Sequence, residues 1–200
     1  MVSEQQFPGA VVIAGTEGQL GKRLAALYSG MGHDVVSLSL QFGADLDALA
    51  TPLRGKPISL VVFADDYSGD DHDAAWIQRA DMTTALERLV YTPFRLASLL
   101  EPALAEGNGK LVLLSRASAM MEHQNDTGRF SERPFRAAAH ALWRCLSIEW
   151  RDKGIRFGVV AIADPQDQAE IELMPKAISA IGHEKSPVTL TDVNGGRLPW

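Results

Sequence analysis

Cysteine is nearly absent from this sequence, which has a single one, Cys145, among 200 residues. One cysteine excludes an intrachain disulfide and a zinc site built from cysteines. Long hydrophobic runs are also missing: stretches such as AVVIA have the length of a strand, whereas a membrane-spanning helix needs about 20 apolar residues. Residues 1–9 lack a basic segment followed by an apolar core, so no signal peptide is expected. We therefore expect a cytoplasmic protein.

Positive charge is in short supply as well. The chain has 19 Lys and Arg against 25 Asp and Glu, a formal net charge of −6. This balance argues against nucleic acid as the main partner, because binding to phosphates needs a basic surface. The hydrophobic fraction of 46% and the charged fraction of 22% are typical of a soluble globular domain. No membrane partner is expected.

Short apolar runs alternate with longer helical patterns, which is typical of a parallel sheet built from strand–helix–strand units. The predicted strands are 10–14, 35–40, 59–64, 110–115, 156–161 and 188–192, with a minimal extra strand at 43–46. The predicted helices are 20–31, 45–54, 74–105, 134–153 and 169–181, the third being broken or kinked at Pro93. No linker or repeat marks a second domain. We predict one α/β domain over residues 1–200, with a doubly wound, Rossmann-like parallel sheet in three α/β/α layers.

Three glycines follow the first predicted strand in the stretch AGTEGQLGKRL: Gly15, Gly18 and Gly21. Glycines at this point allow a tight turn and let a pyrophosphate approach the N–H groups that begin the next helix. A sharp turn without any ligand is the alternative. The candidate cofactor-binding residues of this loop are Gly15, Thr16, Gly18, Gln19, Leu20 and Gly21.

The end of the second strand, residues 37–41, reads SLSLQ. An acidic residue here would bind the ribose hydroxyls of NAD, and an arginine nearby would favour the 2′-phosphate of NADP. Neither is present, and Ser39 is only a weak ribose ligand for either. The choice between NAD and NADP stays open.

Several segments together resemble the short-chain dehydrogenase/reductase (SDR) family. They are AGTEGQLG, YTPFRLASLLEPAL, GKLVLLSRASA, CLSIEWRDKGIRFGVVAIADP and PVTLTDVNGG, in the family's order. The resemblance implies a cofactor, NAD or NADP, and adds Asp45, Ala64 and Arg136 to its candidate ligands. Asp45 is equally well explained as a helix N-cap.

The family's catalytic residues are missing from this sequence. Its tyrosine and the lysine four residues later fall on Glu132 and Arg136, and its serine falls on Arg116. A glutamate, with a reference pKa of about 4.3 against about 10 for tyrosine, is ionised and cannot donate a proton in the same way. Arg136 favours that charged form. The weak catalytic candidates are Ser115, Ser118, Glu132, Arg136 and Tyr91.

The segment before the last strand is short by the family's standard. About 25 residues separate Ala163 from Val188, and they contain one predicted helix. The resemblance implies a longer helical lid over the substrate at this place, so we predict a shortened lid. A site without a lid stays wet, which weakens electrostatic stabilisation of a transition state.

A basic stripe lies along the stretch SERPFRAAAHALWRC, where Arg133, Arg136, His140 and Arg144 share one helix face. Arg136 is placed to reach a cofactor ribose or phosphate, whereas Arg133 and Arg144 are expected to face solvent or acidic neighbours. The carboxylate-rich residues 65–73 are interpreted as an acidic surface loop, and no metal site is predicted.

Three functional hypotheses follow from these features. The first is a catalytically degenerate SDR relative that binds a nucleotide as a sensor, regulator or silent subunit. The second is an active NAD(P)-dependent oxidoreductase on a small carbonyl or alcohol, with a non-standard acid. The third is a structural, oligomeric protein that binds no nucleotide.

The family pairs two long helices between subunits, so the resemblance implies a homodimer or homotetramer through 74–105 and 134–153. We expect these apolar residues in the interface: Leu86, Leu89, Leu96, Leu142 and Leu146.

Overall fold

Six parallel strands form one sheet at the centre of the molecule. The structure, a computed structural model, describes residues 7–69, 73–120, 122, 127–182 and 188–200. The strands are β1 Ala10–Ala14, β2 Val35–Leu38, β3 Ile58–Phe63, β4 Lys110–Arg116, β5 Arg156–Ile162 and β6 Val188–Asp192. Their spatial order is β2-β1-β3-β4-β5-β6, so the winding reverses between β1 and β3. The predicted doubly wound Rossmann-like sheet is confirmed.

Helices cover both faces of the sheet. They are α1 Gln19–Gly30, α2 Leu46–Ala50, α3 Arg79–Leu86, α4 Thr92–Glu106, α5 Arg133–Glu149 and α6 Gln168–Ala180. Apolar residues of α1 and α6 pack on one face, and those of α2, α4 and α5 pack on the other. Strands β1 and β3 are buried along their whole length, which is why their sequences are continuous apolar runs.

Two predicted elements differ from the structure. The extra strand at 43–46 is absent: Gly43 lies in a turn with φ +77, and the Asp45 side chain caps α2 by accepting the Ala48 N–H. The predicted helix 74–105 is divided into a 3-10 turn at Ala74–Trp76, then α3, then a π-helical turn at Glu87–Tyr91, then α4. Pro93 lies in the first turn of α4, directly after the π-helical turn, and because a proline in a continuing helix leaves a carbonyl one turn earlier without its N–H donor, the irregularity precedes it. Among the described residues no helix combines the length and the apolar character that crossing a membrane requires.

Candidate functional site

The loop between β1 and α1 lies at the carboxyl edge of the sheet, at the point where the winding reverses. Gly15 has φ +105, a conformation that favours glycine, and a Cβ there would lie 2.9 Å from the Ala64 carbonyl oxygen. The Leu38 carbonyl accepts the N–H groups of Gly15 (2.8 Å) and Thr16 (3.1 Å). The Ala64 N–H donates to the Ala14 carbonyl at 2.8 Å. Both neighbouring strands therefore hold the glycine loop in place.

The first turn of α1 carries an anion supplied by the chain itself. Gly18 is the N-cap, and the Gln19 N–H donates to Oδ2 of Asp66 at 3.0 Å. A Cβ on Gly18 would collide with the Asp66 carboxylate, and one on Gly21 would collide with the Gly15 carbonyl. The start of a helix favours negative charge through its free N–H groups. Asp66 thus lies where the sequence predicts a phosphate.

A second carboxylate after β3 is paired with an arginine. Both oxygens of Asp65 accept from the Arg88 guanidinium at 3.0 Å. Burial raises the pKa of Asp65, and the charge and hydrogen bonds of Arg88 oppose that rise. Glu17 in the glycine loop accepts the Leu40 N–H at 2.8 Å and lies 3.8 Å from Arg88. Asp65, Arg88 and Glu17 together link the ends of β1, β2 and β3.

Glu132 and Arg136 form a buried ion pair at the start of α5. Their side chains are 1% and 5% exposed, and the Arg136 Nε donates to the Glu132 Oε1 at 2.9 Å. The Nη2 of Arg136 donates to the Tyr67 carbonyl at 2.8 Å and lies 3.4 Å from the Asp65 carbonyl. Arg116 lies 3.9 Å from the same carboxylate. Glu132 and Arg136, which the resemblance puts at the family's catalytic positions, are therefore bound to each other and to the loop after β3.

Ser115 is paired with His140, a contact that the sequence did not predict. The Ser115 Oγ and His140 Nε2 are 2.7 Å apart, and the two residues are 1% and 5% exposed. Burial, together with the charge of Arg136, lowers the pKa of His140 to about 4, so the imidazole is neutral at neutral pH. The only sequence signal was helical spacing, which places His140 one turn after Arg136 on the same face.

The other catalytic candidates lie apart from this pair. Ser118 accepts a hydrogen bond from Arg129 at 3.2 Å. Tyr91 ends the π-helical turn and is 49% exposed. The structure therefore does not bring Tyr91 or Ser118 into contact with Glu132.

Two cavities border the described site. A small cavity of about 10 Å³ touches Ser115, Asp65, Arg88 and Arg136 and holds about one water. A second pocket, of about 430 Å³, opens beside α5. Its lining residues are Ala119, Ala137, His140, Ala141, Arg144 and Trp200.

The remaining cofactor candidates contribute little that could hold a ligand. Leu20 is buried in the core, Ser39 is exposed, and Asp45 caps α2. The interpretation of 65–73 as a surface loop is wrong for Asp65, whose side chain is 8% exposed, whereas Asp66 is half-buried and Asp73 caps the turn that follows it. Residues 70–72 lie outside the described part.

The basic stripe is also less exposed than expected, since Arg133 is only 6% exposed while Arg144 faces solvent. Within the residues that the structure describes, no group of three His, Cys, Asp or Glu side chains could hold a metal ion.

The backbone of this edge fits a dinucleotide phosphate. The glycine loop, its positive φ at Gly15 and the N–H groups of α1 form an anion cradle, and the Asp66 carboxylate shows that the cradle accepts an anion. Held there, a nicotinamide dinucleotide would supply a hydride donor or acceptor. Arg136 of α5 binds the Tyr67 carbonyl in the loop after β3, at the same edge.

Comparison with solved structures identifies the fold. The sequence matches no protein-family model and no curated protein. The carbonyl reductase Sniffer of D. melanogaster superposes with a TM-score of 0.81 at 14% identity, over 96% of this chain and 99% of that one. An NADPH-bound carbonyl reductase from chicken fatty liver gives 0.73 at 17% identity, over 96% and 87% of the chains. A Burkholderia multivorans short-chain dehydrogenase/reductase with bound NADP gives 0.77 at 14% identity, over 96% and 99%. The chain has the fold of the short-chain dehydrogenases/reductases.

Proposed function

We propose that this chain is a divergent SDR protein that binds NAD or NADP at the glycine loop without transferring hydride. It would act as a sensor, a regulator or the silent subunit of a cytoplasmic complex. The observation that carries the proposal is the buried Glu132–Arg136 pair, which occupies the place of the proton donor and its lysine.

The loss of hydride transfer rests on the hydrogen bonds of these two residues. A general acid must reach the reacting oxygen and carry a transferable proton. Glu132 is 1% exposed and accepts from the Arg136 Nε, while the Arg136 Nη2 donates to the Tyr67 carbonyl. The cavity that borders Ser115 and Arg136 has a volume of about 10 Å³, which is about one water. Neither residue is placed to protonate a substrate.

Dinucleotide binding is supported by the backbone and by similar structures. The glycine loop keeps the geometry of an anion cradle, and Asp66 already fills it with a carboxylate. Two structures with this fold are described as containing NADPH or NADP. Arg136, buried at the same edge, supplies a cation toward the loop after β3.

Titration tests both halves of the proposal. NADH and NADPH are added to the protein and binding is followed by nucleotide fluorescence or calorimetry. Binding of at least one, with no loss of its 340 nm absorbance in the presence of a panel of small carbonyls, is the expected result. Absence of millimolar binding to both would favour the structural protein without a nucleotide, and steady oxidation would favour an active enzyme.

Active oxidoreductase chemistry has one observation in its favour, the Ser115–His140 pair. His140 also lines the pocket of about 430 Å³, so a small carbonyl or alcohol could approach it from that side. Carbonyl-dependent oxidation that is lost in Ser115→Ala and in His140→Gln would support this alternative.

A homodimer or homotetramer belongs to the same proposal. Of the expected interface residues, Leu89, Leu96 and Leu146 are buried within their own chain, whereas Leu86 is 47% exposed and Leu142 is partly exposed. On α5, Ile148 is 41% exposed and Cys145 is exposed. Light scattering at micromolar concentration is expected to give the mass of two or four chains, and a monomer would contradict this.

A further inference from the structure

We propose that Asp66 is a built-in competitor of the dinucleotide, an acidic side chain that occupies the phosphate position until a ligand displaces it. This inference rests on the proposed dinucleotide binding and adds how that binding is controlled. It assigns a regulatory role to a residue that belongs to neither the glycine loop nor the catalytic positions.

Asp66 contacts the groups that a phosphate would need. Its Oδ2 accepts the Gln19 N–H at 3.0 Å, in the first turn of α1. Its carboxylate fills the space that a side chain on Gly18 would take. Because Gly18 has no side chain, the space beside the start of α1 is open to an anion, and the Asp66 carboxylate occupies it.

The three carboxylates near the glycine loop differ in whether an arginine is paired with them. Asp65 has a bidentate partner in Arg88, and Glu17 lies 3.8 Å from the same guanidinium. Among the described residues, the Asp66 carboxylate forms no ion pair within 4 Å, although its charge acts on the Arg116 guanidinium. Within the described part of the chain, its hydrogen bond is to the Gln19 N–H at the start of α1.

A phosphate and Asp66 exclude each other for two reasons. Both need the same N–H donor, and two negative charges at close range repel each other. A dinucleotide can bind only when the Asp66 side chain has moved away from α1. The affinity is lowered by the free energy of that displacement.

Two variants at Asp66 separate competition for the N–H donor from repulsion between negative charges. Asp66→Ala removes both the charge and the occupant of the cradle. Asp66→Asn removes the charge but keeps an oxygen that can accept the Gln19 N–H. The matched control is Asp167→Ala, because Asp167 caps α6 by accepting the Ala169 N–H at 2.8 Å and lies outside the glycine loop.

The experiment is a titration of all four proteins with NADPH and with NADH at one fixed salt concentration. We expect Asp66→Ala to bind at least tenfold more tightly than the parent protein, Asp66→Asn to fall between them, and Asp167→Ala to match the parent. Circular dichroism confirms folding of each variant, and Asp66→Asn carries the comparison if Asp66→Ala does not fold.

Two outcomes contradict the account in different ways. Measurable binding that is equal in the parent and both Asp66 variants would overturn the competitor role and leave dinucleotide binding intact. No binding by the parent or by either Asp66 variant at millimolar NADPH and NADH would overturn the dinucleotide site itself. The ¹⁵N-resolved amide signal of Gln19 gives an independent check: it is expected to shift in Asp66→Ala and to stay in place in Asp167→Ala.

Discussion

The core of the sheet is fully buried and its carboxyl edge is only partly buried, and the two regions are stabilised in different ways. In the core, apolar side chains from two helical layers pack on the strands, and Trp143 meets Phe63 edge to face with ring centroids 5.5 Å apart. At the edge, charged side chains are bound to one another and to backbone groups. In an open α/β fold that edge is where ligands bind. Here the chain supplies the partners that a ligand would otherwise provide.

Breaking the core should have the largest effect on stability. Trp143 is 1% exposed, so Trp143→Ala is expected to lower the free energy of unfolding by about 4 kcal/mol through lost burial and a residual cavity. The matched control is Trp76→Ala, since Trp76 is 77% exposed, and its change should stay within about 0.5 kcal/mol. Urea denaturation measures both. Equal losses of stability in the two variants would contradict the burial of Trp143 in the core.

Breaking the ion pair at the edge should come next. Arg136→Met leaves Glu132 buried without its partner and is expected to cost about 3 kcal/mol. Replacing both residues by Met removes the unpaired charge, so the double variant should lose less than the sum of the two single variants. A double-mutant cycle in urea tests the coupling, and strict additivity would contradict a direct pair.

The Ser115–His140 contact predicts a dependence of stability on acid pH. Burial and Arg136 hold the pKa of folded His140 near 4, against about 6.5 when unfolded, so the unfolded chain binds more protons between these values. The stabilisation is fully present above pH 6.5 and is lost as the pH falls toward 4, by up to about 3 kcal/mol. The groups facing the ring are Arg136, Ser115 and Trp200.

The measurement is the free energy of unfolding from pH 7 to pH 4 for the parent protein and for His140→Gln. The difference in the free energy of unfolding between the parent protein and His140→Gln should change by up to about 3 kcal/mol between pH 6.5 and pH 4. Parallel curves would show that His140 does not titrate differently in the folded chain.

The Asp66 cap should have the smallest effect on stability. Asp66→Ala removes one side-chain hydrogen bond to the start of α1 and is expected to cost about 1 kcal/mol, as is Asp167→Ala at the start of α6. Asp66→Asn should lower the free energy of unfolding by only about 0.3 kcal/mol, because Asn caps a helix as well as Asp does. Thermal unfolding of the three variants gives the comparison, and a loss of several kcal/mol at Asp66 alone would assign it a structural role.

The glycine loop and the strands could be predicted because their signals are local. Continuous apolar runs indicate strands that are buried on both faces, and Gly15 is required by a positive φ next to the neighbouring strand. The predicted extra strand at 43–46 failed for an equally local reason, since Asp45 caps α2. Adjacent residues decide each of these features.

The contacts of the site could not be predicted because their partners lie far apart in the sequence. Asp66 caps a helix that begins 47 residues before it, and Ser115 and His140 are 25 residues apart. A carboxylate in a polar stretch has the same local pattern whether it faces solvent or a helix start. The leucines of α4 and α5 show the same limit, because helical spacing does not say whether a face packs on its own sheet or on a second subunit.

The most direct test of the account is one titration that reads binding and chemistry together. NADPH and NADH are added to the parent protein and to Asp66→Ala, and nucleotide fluorescence is recorded before and after addition of a carbonyl panel, with absorbance at 340 nm followed over time. The account predicts weak binding by the parent, tighter binding by Asp66→Ala, and no fall in absorbance for either protein. A steady fall in absorbance that depends on the carbonyl would contradict it.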